Sequence, residues 1–376
     1  MKQTLIRLML VVAVSSSLLT SNRTLAQDAS RPELRFVSTT KVATMEKELN
    51  ELAAQGFRLE RFSKATLNRN LAALVVSNAK ATTTRYEYKL LATRRTETLE
   101  KEIMEAAAQG YEMRGLVSLL RPGISAAFVG DETTALMERP SGESARRYEY
   151  KVLSSTREKA IETELNEAAA AGFTPIEVLL SQDARRGISV LLGPRFTATA
   201  LLGRPVNDSS AQGKREYKFL ATSKVGTMER EMNEQAKEGY RLYFCASTLI
   251  ALMYKEQGAS GPAPYEYKLL ATRKTGTMQK ELSEQGRLGY KYRTTASGLG
   301  GLTTVLERDL RTEEKESRRE YKLIATTREK TTQTELGEAL AAGYQLLDLT
   351  TVGQFIAVLD RKAEDLPGKP NTKANK

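Results

Sequence analysis

The chain repeats itself. Six openings align in register: PELRFVST from Pro32, YEYKLLAT from Tyr86, YEYKVLSS from Tyr148, REYKFLAT from Arg215, YEYKLLAT again from Tyr265 and REYKLIAT from Arg319. Each is followed by a second block: EKELNELAAQGF, EKEIMEAAAQGY, ETELNEAAAAGF, EREMNEQAKEGY, QKELSEQGRLGY and QTELGEALAAGY. A chain built this way folds as copies of one supersecondary unit, each with only a marginal core of its own. The units span residues 32–78, 86–140, 148–205, 215–256, 265–309 and 319–362. The segments between them are polar, mostly with Gly, Pro or Ser, and read as linkers. Residues 363–376 lack apolar content and read as a disordered tail.

The first block alternates apolar and charged residues with a period of two, which predicts a strand. In YEYKLLAT the Leu-Leu step makes the far half apolar on both faces, so that half is expected to be covered on both sides. The second block has the period of an amphipathic helix, with Met45, Leu49, Leu52 and Ala53 on one stripe. Thr44, Thr98, Thr227, Thr277 and Thr331 precede the stripe and are expected to cap these helices. Each helix should end on a left-handed glycine: Gly56, Gly110, Gly172, Gly239, Gly289 or Gly343. An aromatic residue always follows, placed to fold back on the helix's last turn.

The remainder of each unit reads as a hairpin, turning at Leu67–Asn70 in copy one, at Gly298–Gly301 in copy five and near Gly353 in copy six. Copies two and three carry an added piece, GISAAFVGDET and GISVLLGPRFT. The expected fold class is α+β: six tandem βαββ modules, each a small, mainly antiparallel sheet with one helix on a face. Open sheet faces and strand edges need covering. Intramolecular pairing of modules through their sheets, in three pairs, is expected to supply it.

Glu-Tyr-Lys on a first strand, Leu-Asn-Glu on a helix, Gly-aromatic and a terminal Leu-x-Arg together resemble a widespread small bacterial domain of unknown function. Its members read roughly W-E-Y-K … L-N-x-x-G-x-E-G-W-E … K-R. The likeness covers nearly all of the chain after its first 31 residues, with ELNE at Glu48–Glu51 and Glu164–Glu167. After each helix-ending glycine Tyr or Phe stands where that domain has Trp. The resemblance implies a βαββ fold and assigns no activity.

Residues 1–26 have the pattern of a cleavable export signal. Lys2 and Arg7 begin it, Leu8 to Leu19 is mostly apolar, and Thr24-Leu25-Ala26 sets small residues before a cut between Ala26 and Gln27. No later stretch approaches the ~20 apolar residues of a membrane span. The expected location is periplasmic or secreted. The chain holds 57 basic and 46 acidic side chains, interspersed, for a net charge of +11, which suits approach to anionic surfaces but forms no nucleic-acid stripe. There is no histidine, which excludes histidine-dependent nucleophiles and metal sites. The lone cysteine, Cys245, sits in an apolar run. No phosphate loop, CxxC pair or calcium loop occurs, so no cofactor or metal is implied.

The candidate site residues are the recurrent charges. Paired glutamates stand at i, i+3 on each helix: Glu48/Glu51, Glu102/Glu105, Glu164/Glu167, Glu231/Glu234, Glu281/Glu284 and Glu335/Glu338. They offer carboxylate pairs for acid–base work or a hard cation, or else a charged helix flank whose inner Glu meets a sheet Lys, Arg or Tyr hydroxyl. The strand lysines Lys89, Lys151, Lys218, Lys268 and Lys322, with Arg35 in copy one, are either the partners of those carboxylates or a basic row for an anionic polymer. On this reading the chain is a non-enzymatic multivalent binder or scaffold. Its partner is an unidentified macromolecule, a protein or an anionic envelope polymer, with no nucleic acid expected. The alternatives are a glutamate-dependent hydrolase of envelope polymer and a passive structural protein.

Overall fold

In the computed structural model residues 33–363 are described, apart from 66–69, 78–83, 121–130, 144, 146, 183–195, 207–213, 223, 248–249, 273 and 299–300. The expected export signal with its expected Ala26–Gln27 cut, the expected tail beyond residue 363, the turn expected after Leu67 and the core of each added piece lie outside the described residues. Module 1 holds β1 (Leu34–Thr39), α1 (Val42–Ala54), β2 (Phe57–Phe62), β3 (Lys64–Ala65) and β4 (Leu71–Ser77). Module 2 holds β5 (Tyr86–Thr93), α2 (Thr96–Ala108), β6 (Glu112–Leu120) and β7 (Asp131–Pro140). Module 3 holds β8 (Tyr148–Ser155), α3 (Glu158–Ala170), β9 (Thr174–Gln182) and β10 (Phe196–Pro205). Module 4 holds β11 (Arg215–Ala221), α4 (Val225–Lys237), β12 (Arg241–Ser247) and β13 (Ile250–Glu256). Module 5 holds β14 (Tyr265–Thr272), α5 (Thr275–Arg287), β15 (Lys291–Gly298) and β16 (Gly301–Asp309). After the short α6 (Glu314–Ser317), module 6 holds β17 (Arg319–Thr326), α7 (Glu329–Ala341), β18 (Gln345–Thr351) and β19 (Phe355–Lys362). The six-module βαββ architecture expected from the repeat is the one observed.

Every module is an antiparallel sheet with its last strand in the middle: β1-β4-β2, β5-β7-β6, β8-β10-β9, β11-β13-β12, β14-β16-β15 and β17-β19-β18. The helices stop as their glycines require. Gly110 has φ +87°, its N–H donates to the Ala107 carbonyl, and the Tyr111 N–H reaches back to Ala106, completing a Schellman turn. The starts differ from expectation. The helices begin three residues earlier, after Lys41, Arg95, Arg157, Lys224, Lys274 and Arg328, and no side chain caps them. Thr44 and its counterparts therefore lie within the first turn. The preceding strand does the local work: the Lys41 N–H donates to Thr39 Oγ1 and the Arg95 N–H to Thr93 Oγ1. The final Thr of the strand block thus sets the turn into the helix.

The modules do not associate in three separate pairs. Each sheet has its own helix on one face and the helix of the preceding module on the other. The central strands show this directly, since consecutive residues such as Ala135, Leu136 and Met137 are all fully buried. Side chains alternate faces along a strand. Ala135 and Met137 accordingly join the core of α2, while Leu136 joins that of α1. Each core cluster is shared between consecutive modules. One more links module 6 to module 1: Leu336 and Ala339 of α7 pack with Phe36, Ala72 and Leu74. The layers alternate sheet, helix, sheet, helix until the chain meets its own beginning.

The result is a closed ring. Second strands of successive modules contact one another, with β3 in place of β2 against β6, which places them inward and the helices outward. Each second strand carries a register shift, opposite Glu60, Arg114, Ile176, Tyr243, Arg293 and Leu347 in turn. Such bulges bend a strand and increase its twist, helping it curve around the axis. At the closure β3 pairs in parallel with β18, and the Ser63 and Thr351 hydroxyls meet at 2.7 Å. No helix among the described residues is long and apolar enough to cross a membrane.

Candidate functional site

The paired glutamates do not converge on a site, which corrects the carboxylate-pair expectation for all six helices. The second member of each pair faces solvent. Glu51, Glu105 and Glu234 pair with Lys47, Lys101 and Arg230 one turn back, at 3.7, 3.9 and 2.9 Å. Glu167, Glu284 and Glu338 occupy the same outward column and are exposed. Glu284 shows why the pair fails as a site. It follows the fully buried Leu282 by two positions, about 200° around the helix, so it points away from the core and from the next sheet. The first members, including Glu102, Glu164, Glu231 and Glu281, are half-buried on the helix flank. Burial raises the Glu48 pKa, with Glu329 and Glu51 pushing the same way. No group of three or more acidic or thiol side chains could hold a metal ion among the described residues.

The strand lysines do not form one uniform row. Lys218 and Lys268 pair with Glu162 and Glu229 on the preceding module's helix, at 3.2 and 2.9 Å. Lys89 and Lys322 lie 5.7 and 5.9 Å from the rings of Tyr111 and Tyr344. Lys151 is exposed. The inner Glu that meets a sheet Lys is therefore not in the expected i, i+3 pair. It stands two residues earlier and reaches into the next module.

That earlier column does the principal joining. The first strand of each sheet is an edge, and half its backbone groups face away from its neighbour. The preceding helix supplies partners. Asn50 Nδ2 donates to the Tyr88 carbonyl while the Tyr88 N–H donates to Asn50 Oδ1, both at 2.9 Å. The Leu90 N–H donates to Glu46 Oε2 at 2.6 Å. Asn166 and Glu162 hold Tyr217 and Phe219 in the same way, and Asn233 and Glu229 hold Tyr267 and Leu269. Module 5 substitutes Gln279, which grips the Tyr321 carbonyl and the Leu323 N–H. At the closure, Gln333 accepts from the Phe36 N–H.

The other repeated residues form a second device. The Glu of Glu-Tyr-Lys pairs with the Arg of the terminal Leu-x-Arg on the adjacent strand: Glu87 with Arg139, Glu149 with Arg204, Glu266 with Arg308 and Glu320 with Arg361. Arg139 also donates to the Gln109 carbonyl at the end of α2 and stacks over Tyr111 at 4.5 Å. Arg204 and Arg361 repeat this on Ala171 and Ala342. One arginine thus ties helix end, turn aromatic and strand together. It holds Glu87 ionised by hydrogen bonding, lowering its pKa.

The middle tyrosine of the first strand in modules 2 to 6 is placed for a third contact. Its hydroxyl accepts a backbone N–H from the preceding module's inner strand: Leu59 to Tyr88, Met113 to Tyr150, Leu242 to Tyr267 and Tyr292 to Tyr321, at 2.7–2.9 Å. Burial pushes the Tyr150 hydroxyl up to about 12 and the Tyr88 hydroxyl higher still. The pattern fails at Tyr217. The residue facing it is Pro175, which has no N–H to give. The Tyr217 hydroxyl is buried without a hydrogen-bond partner.

No family model, curated protein or solved structure matches the chain.

Proposed function

We propose that the chain is an exported, non-enzymatic ring that binds or scaffolds another macromolecule, a protein or an anionic polymer of the cell envelope. The observation that carries this reading is the use to which the repeated polar residues are put. Glu87 and Arg139, Glu46 and Asn50, Tyr88 and their counterparts hold strands, helices and neighbouring modules together. A fold that commits its recurrent charges to its own geometry suits a rigid platform. The signal-like first 26 residues and the single, buried cysteine support export without disulfides. The basic excess supports an acidic partner.

The test is incubation of the mature chain with insoluble envelope polymer, scoring both co-sedimentation and release of soluble fragments. Salt-sensitive retention without fragment release is expected. Fragment release that disappears in a Glu102→Gln/Glu105→Gln variant would overturn the reading and establish a hydrolase.

A further inference from the structure

A cleft of about 240 Å³ opens between modules 3 and 4, floored by Ala169 and Phe173 and flanked by Thr174, Arg215 and Tyr217. Its counterparts at two other boundaries hold an arginine. Between modules 1 and 2, Arg58 stacks on Tyr86 at 4.0 Å and bonds twice to Glu138, whose carboxylate also accepts from Tyr88. Between modules 4 and 5, Arg241 stacks on Tyr265 at 4.1 Å and reaches Glu307, which accepts from Tyr267.

At the 3/4 boundary each part of that arrangement is replaced. Thr174 stands for the arginine, Arg215 for the stacking tyrosine and Tyr254 for the acid. Arg215 leans to Glu256 at 3.0 Å and over Tyr254 at 4.8 Å. Tyr243 packs edge-on against Tyr217 and Tyr254, and beside Thr174 the cleft of about 240 Å³ stays open. Tyr217, 1% exposed, loses both of its usual partners, the backbone N–H and the carboxylate. Burial raises the Tyr217 pKa, and Arg215 opposes it by charge and by a weak hydrogen bond whose geometry leaves the hydroxyl unsatisfied. A buried hydroxyl left this way carries a desolvation cost that a ligand acceptor would relieve.

We propose that this cleft is a binding site for a small carboxylate with a flat apolar body. The body would lie against Phe173 and Ala169 in the room an arginine fills elsewhere. The carboxylate would accept from the Tyr217 hydroxyl, as Glu138 does from Tyr88, and face Arg215 and the exposed Lys214 at the mouth. Lys214 and Arg215 against Glu256 leave a local excess of positive charge, which selects an anion over a cation. This site is independent of the macromolecular binding proposed above.

The test uses the full mature chain and three probes: phenylacetate, its neutral amide and phenethylamine, followed by titration calorimetry and NMR. Saturable binding of phenylacetate is expected, weaker for the amide by about tenfold or more, and absent for the amine. Tyr217→Phe keeps the ring, removes an orphan hydroxyl and should fold normally. It should weaken phenylacetate by about tenfold. A Thr174→Arg/Arg215→Tyr/Tyr254→Glu variant rebuilds the 1/2 arrangement and should abolish binding. Failure of phenylacetate to bind, equal binding of the amine, or unchanged affinity in Tyr217→Phe would each overturn the proposal.

Discussion

Glu138 is 4% exposed, and its carboxylate persists there because Arg58 of the preceding module meets it twice. The same position on the other central strands holds Val76, Gly203, Tyr254, Glu307 and Asp360. The residue two places after the preceding helix-ending glycine varies with it. It is basic only before an acid: Arg58 before Glu138, Arg241 before Glu307 and Lys291 before Asp360. Elsewhere it is Gln345, Glu112 or Thr174. Modules assembled in the wrong order would bury an acid without its base, so the pairing favours the right neighbours. Arg58→Ala should cost on the order of 2 kcal/mol, discounted because the arginine is partly exposed and Arg114 stands nearby. Adding Glu138→Val should restore most of that loss, and chemical denaturation of both singles and the double measures the coupling. Additive effects would count against a neighbour code. Asp360 is the weak member. Burial raises its pKa above 3.8, while Arg319 and Lys291 pull it back. The folded state then holds this proton more tightly than the unfolded state. Its contribution to stability is full below 3.8 and falls as pH rises through the folded value. Asp360→Asn should remove that fall, visible as a difference between wild-type and variant denaturation midpoints across the range above pH 3.8. A constant difference at all pH values would contradict it.

Strands, helices and helix ends are legible in the sequence because their signals are local. A period of two, a period near 3.6 and a Gly-aromatic pair each act within a few residues. The caps mislead because Thr44 resembles an N-cap, whereas the turn is set by Thr39 on the strand before it. The i, i+3 glutamates mislead in another way: their recurrence, down to Glu281 and Glu284, follows from a solvated helix flank and calls for no shared ligand. The Asn of Leu-Asn-Glu cannot be assigned from its own module, since Asn50 bonds Tyr88 of the next one as well as the Glu46 carbonyl of its own helix. The same non-local logic hides the roles of Tyr88 and Glu46. These edge clamps differ in quality, and that difference is testable. Met104 replaces the Asn in module 2, and its sulfur accepts from the Tyr150 N–H at 3.3 Å. A thioether has no N–H to return to the Tyr150 carbonyl. Met104→Asn should therefore raise the melting temperature, while Asn166→Ala should lower stability by about 1–3 kcal/mol through two lost bonds to Tyr217. If Asn166→Ala is neutral, the side-chain clamp is dispensable and packing alone holds the edge.

The repeat announces like units, and the Leu-Leu step announces sheets covered on both faces, but closure cannot be read from either. A stack in which every unit covers the next leaves two apolar ends unless the last meets the first. Here α7 covers β1, Gln333 clamps Phe36, and β3 adds to the β18 edge. The bulged inner strands supply the curvature that brings those ends together. The ring should then be indifferent to where the chain starts and intolerant of a missing module. A circular permutant that joins Lys362 to Leu34 through a copy of residues 257–264, with new termini between Pro205 and Arg215, should keep the parent's oligomeric state. It should melt in one cooperative transition close to that of the parent. Deleting residues 34–77 should expose the outer faces of α7 and the module 2 sheet. That five-module chain should aggregate or associate, and its melting transition should fall or broaden. Light scattering and calorimetry on the three chains decide the matter. A five-module chain that keeps the parent's oligomeric state and melting temperature would show that closure contributes nothing and that the modules stand as an open stack.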